Sequence, residues 1–67
     1  MSDLSFWRLH EVKARTGLSR STIYAKMATG DFPLNISLGP RAVGWIADEV
    51  IDWINEQIRK SRKGDQE

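Results

Sequence analysis

No cysteine occurs in the 67 residues, histidine and tyrosine appear once each, and proline only twice. Without thiols neither a disulfide staple nor a thiolate metal site can form, which suits a chain made for a reducing cytosol. His10 has no second histidine to join it as a metal ligand, so it is expected on a helix surface, and neither a metal nor a cofactor is expected. Nowhere does an apolar run approach the roughly 18 residues of a membrane span. The first ten residues carry charge and lack the continuous apolar stretch of a leader, so a cytoplasmic chain with no membrane partner is expected. Stability must come from packing, in one domain below the roughly 70 to 80 residues at which a single core becomes comfortable. A hydrophobic content of 40%, with three Trp and two Phe, is enough for that core and argues against a disordered chain.

Net charge is also scarce, +1 at pH 7, but it is unevenly distributed. Between Arg8 and Lys26 stand Arg8, Lys13, Arg15, Arg20 and Lys26 against Glu11 alone. Between Asp31 and Glu56 the acids Asp31, Asp48, Glu49, Asp52 and Glu56 face only Arg41. A chain with one basic face, the electrostatic requirement for meeting a polyanion, would show this distribution.

The spacing predicts four elements in the order helix, helix, hairpin, helix. Leu9, Val12 and Thr16 recur at helical intervals, and Gly17 ends that pattern. Ser19 can cap a second helix in which Ile23 and Met27 lie one turn apart, running to about Ala28. Thr29-Gly30-Asp31 stops it, and Pro33 forces Phe32 into an extended conformation. Asn35 to Leu38 and Ala42 to Trp45 alternate about the turn Gly39-Pro40-Arg41, which reads as a hairpin over about 35–46. Ala47, Val50, Ile51, Ile54 and Ile58 then form an apolar stripe with Trp53 on its flank, a closing helix over about 47–61 followed by a polar tail at 62–67 that should fray.

The stretch ARTGLSRSTIYAKM has the mechanics of a helix-turn-helix. Ala14 would admit a close second helix, Gly17 would make the sharp turn, Leu18 would plug the corner and Ile23 would pin the helices together. With Ile23 and Met27 inward, Ser21, Tyr24, Ala25 and Ala28 should face away, with Arg20, Thr22 and Lys26 on the rims. A small-surfaced, hydroxyl-rich helix with basic flanks suits a major groove, and a hairpin tipped by Gly39, Pro40 and Arg41 suits phosphates or a neighbouring groove. The expected fold is a winged helix-turn-helix in a single domain, mainly α with a small hairpin: the helix-turn-helix over about 9–28, the wing over about 35–46 and the closing helix over about 47–61. The expected partner is double-stranded DNA, met by Ser19, Arg20, Ser21, Thr22, Tyr24 and Lys26 on the helix and by Gly39, Pro40 and Arg41 on the wing.

At TGLSRSTIY (16–24), GDFP (30–33), LGPRAVGW (38–45) and EVIDWI (49–54) the chain resembles the AlpA family of prophage regulators, related to excisionases and to the MerR-type winged helix. The resemblance covers roughly 8–58. It implies a recognition helix beginning near Ser19, a wing around Gly39 to Ala42, a closing helix beneath them, and a role in transcription or in excision of mobile elements. Ala25 stands where the family commonly has a basic residue and Lys26 where it commonly has an aliphatic one, so the phosphate contact implied at 25 passes to Lys26.

The remaining aromatic and acidic residues have simpler assignments. Trp45 and Trp53, at a strand end and beside the apolar stripe, are expected in the core, and Phe6 and Trp7 are expected to staple or cover it. Asp48 and Asp52 lie on the polar side of their helix, and a chain this short has little room for a catalytic pocket, so no enzyme is expected. The rival reading is a protein-interaction module whose acidic closing helix docks a phage integrase or another regulator. A single recognition helix reads few base pairs, so binding as a dimer or as a cooperative row on DNA is expected.

Overall fold

The structure, a computed structural model, describes residues 5–65. Three helices and a small antiparallel sheet follow one another as β1 (Phe6–Trp7), α1 (Leu9–Thr16), α2 (Arg20–Ala28), β2 (Ile36–Gly39), β3 (Ala42–Ile46) and α3 (Ala47–Asp65). Together they make a winged helix-turn-helix.

The turn between α1 and α2 is built from local chemistry. Gly17 takes a left-handed φ of 75°, which a side chain would resist, and its N–H donates to the Lys13 carbonyl at 2.8 Å. The Thr16 hydroxyl donates to the Val12 carbonyl at 2.7 Å and accepts from the Leu18 N–H at 3.2 Å, so the last turn of α1 and the corner residue are tied together. Ser19 caps α2 by accepting from the Thr22 N–H at 3.2 Å. At the far end of α2, Gly30 has a φ of 80° and the Asp31 N–H donates to the Lys26 carbonyl at 2.7 Å, which turns the chain out of the helix.

Val12, Ile23, Phe32, Trp45 and Val50 form the buried cluster, with Trp7, Leu9, Leu18, Tyr24, Met27, Trp53 and Ile54 packed around it. Each element except β1 and β2 thus contributes a residue with little or no exposure. The two half-polar aromatics are satisfied: the Trp45 indole N–H donates to the Pro33 carbonyl at 3.1 Å and that of Trp53 to the Asp31 carbonyl at 2.6 Å. Phe32 meets Trp53 edge to face with ring centroids 4.8 Å apart, which draws the loop after α2 onto α3.

Four expectations are corrected. Phe6 and Trp7 neither staple nor merely cover: they form a third strand, antiparallel to β3 with Phe6 opposite Ile46 and Trp7 opposite Trp45, so the sheet order is β1-β3-β2. Ala14 is exposed and does not lie between the helices. It is two residues from buried Val12, about 200° around the helix, so the α1 stripe Leu9–Val12–Thr16 makes the contact instead. Ile51 and Ile58 are 41% and 42% exposed, because the rest of the fold covers only the Ala47–Val50 side of α3. Finally, α3 continues through the start of the expected polar tail to Asp65, since no proline interrupts it, and residues 66–67 of that tail lie outside the described residues.

Candidate nucleic-acid interface

The exposed surface of α2 is a shallow face lined by Ser21, Thr22, Ala25, Lys26 and Thr29. Thr22, Ala25 and Thr29 recur at i, i+3 and i+7, so they form one stripe, with Ser21 and Lys26 on its two edges. Among the described residues no carboxylate lines the middle of this face, but at its C-terminal edge the Thr29 hydroxyl donates to the Asp31 carboxylate at 2.9 Å. Its side chains are short hydroxyls and a methyl group beside one cation, chemistry able to donate to or accept from base edges while letting the helix backbone approach. Thr29 was not expected there. The signal was available in its place one turn past Ala25, but its position in the stop sequence Thr29-Gly30-Asp31 obscured it.

Two of the expected contact residues serve first as structure. The Ser19 hydroxyl is committed at the cap, where it also donates to the Thr22 hydroxyl at 2.9 Å. Ser19→Ala should cost about 1 kcal/mol of stability, read as a lower midpoint in urea at unchanged slope. An unchanged midpoint would show that the cap bond contributes nothing.

Tyr24 does not face away as expected. It is half-buried, its ring lies edge to face with Trp45 at a centroid distance of 6.1 Å, and its hydroxyl accepts from the Asn35 side-chain amide at 3.3 Å. The ring therefore joins α2 to the base of the hairpin. Arg20, in the first turn of α2, places its guanidinium over the Tyr24 ring at 4.9 Å from the centroid. It lies toward the hairpin side, off the Thr22–Ala25–Thr29 stripe. Asn35 is a positioning residue that sequence reasoning assigned only to a strand.

The hairpin of β2 and β3 pairs Ile36 with Gly44, Ser37 with Val43 and Gly39 with Ala42, with an irregularity between Ser37 and Gly39. Gly39 closes β2, and Pro40 and Arg41 make its exposed tip. Arg41 forms no ion pair among the described residues, including with Asp48. It shares a depression with Arg8, Leu9, His10 and Val43 beside the start of α1.

The acidic residues gather from the C-terminal end of this face onward. Asp31, Glu49, Asp52 and Glu56 line an open groove between the end of α2 and α3, together with Lys26 and Lys60. Lys26 borders both this groove and the α2 face, so the sign of the surface changes across it. Within α3, the Arg59 guanidinium hydrogen-bonds the Glu56 carboxylate, which holds the Glu56 carboxyl below its ordinary value and Arg59 above its own. Arg59 is exposed and Glu56 partly so, and the pair decorates a helix surface. Among the described residues no group of His, Asp and Glu is placed to hold a metal ion, and no helix is long and apolar enough to cross a membrane.

The family model described as prophage CP4-57 regulatory protein (AlpA) matches residues 5–58. The chain is 42% identical over 59 residues to the protein ORF88 of Enterobacteria phage P4, covering 88% of this chain and 67% of that one. It is 33% identical over 58 residues to the DNA-binding transcriptional activator AlpA of Escherichia coli K12, covering 78% of this chain and 83% of that one. No solved structure matches it significantly.

Proposed function

The chain belongs to the AlpA family of prophage regulatory proteins, and from that premise we propose that it binds double-stranded DNA in a sequence-specific manner to control transcription or excision of a mobile element. The observation that carries this reading is the hydroxyl-lined face of α2 with Lys26 at its edge, joined through Tyr24 to the base of a wing whose tip arginine forms no ion pair among the described residues. In such a docking, Ser21 and Thr22 meet base edges, Lys26 replaces the phosphate contact that Ala25 cannot make, and the Gly39–Arg41 tip follows the backbone or the adjacent minor groove, while the Thr29 hydroxyl stays bonded to the Asp31 carboxylate. Ser19 and Tyr24 contribute through position, the first by fixing the start of α2 and the second by holding Arg20 over its ring.

The test is selection of duplexes from a random-sequence pool, followed by mobility shift of the selected and of a mixed-sequence duplex over a salt series. Neutralising even two phosphates, at a slope of about −0.9 each, should cost roughly tenfold in affinity between about 50 and about 200 mM salt. Enrichment of a common sequence together with that salt dependence is the expected result. A flat salt response, or a pool that emerges unenriched, would overturn it. A selected site containing repeated half-sites would add that the chain acts as a dimer or a row on DNA, as one recognition helix per copy requires for useful specificity.

A second reading has one observation in its favour. The groove of Asp31, Glu49, Asp52 and Glu56 offers negative charge to a basic partner surface such as that of an integrase. It predicts salt-sensitive binding to a basic protein in the absence of DNA, which the α2 face does not.

A further inference from the structure

We propose that Arg8, His10 and Arg41 form one seat for a single backbone phosphodiester of duplex DNA, so that the start of α1 and the tip of the wing grip the same phosphate. This rests on the reading that the α2 face docks on DNA. β1 holds Trp7 opposite Trp45, and the chain therefore enters α1 alongside the outer half of β3, next to the turn at 40–41. In consequence Arg8, Leu9, His10, Arg41 and Val43 line one depression, although more than thirty residues of sequence separate its two sides.

Two guanidiniums and an imidazole, from the start of α1 and from the turn between β2 and β3, line this depression, and among the described residues no carboxylate lines it. The only acid in the basic half of the chain, Glu11, is engaged by Arg15 at 2.6 Å, and Arg15 in turn lies over the Trp7 ring at 4.7 Å. Glu11 is thus committed to Arg15, and no side-chain hydrogen bond or ion pair among the described residues engages Arg8, His10 or Arg41. Like charges held together repel, and an anion placed between them turns that repulsion into attraction. A guanidinium fork suits two oxygens of one phosphate, and an imidazole N–H donates to a third contact point in either of its protonation states. Leu9 and Val43 supply an apolar floor against which a sugar can rest. The occupant that brings phosphate and sugar together to a surface beside the wing is the nucleic-acid backbone.

The experiment uses the full chain and the variants Arg8→Ala, Arg41→Ala, His10→Ala and the Arg8→Ala/Arg41→Ala pair, with melts to show that each is folded. All three side chains are exposed, so folding should be retained. On a mixed-sequence duplex each arginine variant should lose roughly threefold to tenfold in affinity, and the pair should lower the salt slope by about 0.9, the value for one shared phosphate. On a duplex chosen by the selection above, a scan with single neutral methylphosphonates should find one position at which the parent chain weakens, each single arginine variant weakens less, and the pair weakens little or no further. A slope reduced by about 1.8 in the pair would mean two separate phosphates and would overturn the shared seat, as would an Arg8→Ala variant that binds like the parent. Either result leaves DNA binding itself intact. Failure of the parent chain to bind any duplex would instead remove the docking reading and this seat with it.

Discussion

Replacing Trp45 with alanine should lower the unfolding free energy by about 3 to 5 kcal/mol, which for a domain of this size is most or all of what it has. Trp45 is fully buried at the centre of the sheet, with β1 on one side and β2 on the other. It touches three structural commitments at once. Its ring receives the edge of Tyr24 from α2, its backbone pairs with Trp7, and its indole N–H satisfies the Pro33 carbonyl in the loop that leads into the wing. Alanine would leave a cavity among Val12, Ile23 and Val50, and would orphan that carbonyl in a partly buried setting. Trp45→Phe separates the two effects: it keeps most of the volume and loses the hydrogen bond, and should cost less than half as much. Urea or thermal melts followed by far-ultraviolet circular dichroism read both. A Trp45→Ala melt close to that of the parent would show that the sheet does not depend on this side chain, and the packing described here would be wrong.

The parts of this fold that could be read in the sequence are those whose causes are local. Gly17 needs a left-handed φ and Ser19 needs a free N–H two or three residues on, and both requirements sit within one turn of chain. The hairpin was legible for the same reason, since Gly39-Pro40-Arg41 interrupts two alternating runs. What escaped depends on the company that distant segments keep. A strand of two residues, Phe6–Trp7, has no period to detect, and only β3 decides that it is a strand. The stripe on α3 was visible as a stripe, but which of its residues are covered depends on how far the small sheet and two short helices reach. They reach Val50 and leave Ile51 and Ile58 half in water.

The candidate site divides in the same way. Ser21, Thr22, Ala25 and Lys26 follow from the inward placement of Ile23 and Met27, since the opposite face of a nine-residue helix has nowhere else to go. Tyr24 was misplaced because periodicity locates a residue on a circle and cannot say how wide the covered arc is. The base of the wing widens that arc, through Asn35 and Trp45, until it includes the tyrosine ring. The correction matters for function, because an aromatic ring anchored at its hydroxyl is a rigid platform, and Arg20 stands on it.

That platform sharpens the expectation for Arg20, whose loss should relax specificity more than it lowers general affinity. The N-terminal turn of a recognition helix is where side chains reach base edges, and a guanidinium fork can grip O6 and N7 of a guanine for about 1 to 3 kcal/mol of discrimination. A free arginine must be ordered to do so. Here stacking over Tyr24 holds the guanidinium 4.9 Å from the ring centroid before any DNA arrives, so part of that ordering cost is already met. Arg20→Ala should therefore weaken binding to a selected duplex by roughly 5-fold to 150-fold, and to a mixed-sequence duplex by no more than the loss of one charge implies. Arg20→Lys restores that charge without the fork, and should recover the mixed-sequence affinity while leaving discrimination low. Tyr24→Leu keeps the arginine and removes its platform, and should fall between the parent and Arg20→Ala in discrimination, whereas Tyr24→Phe retains the ring, loses only its Asn35 anchor and should fall between the parent and Tyr24→Leu. Binding of all four variants to both duplexes, after melts have shown them folded, decides the matter. Equal losses on the two duplexes for Arg20→Ala would make Arg20 a phosphate contact, and base reading would then belong to Ser21 and Thr22 alone.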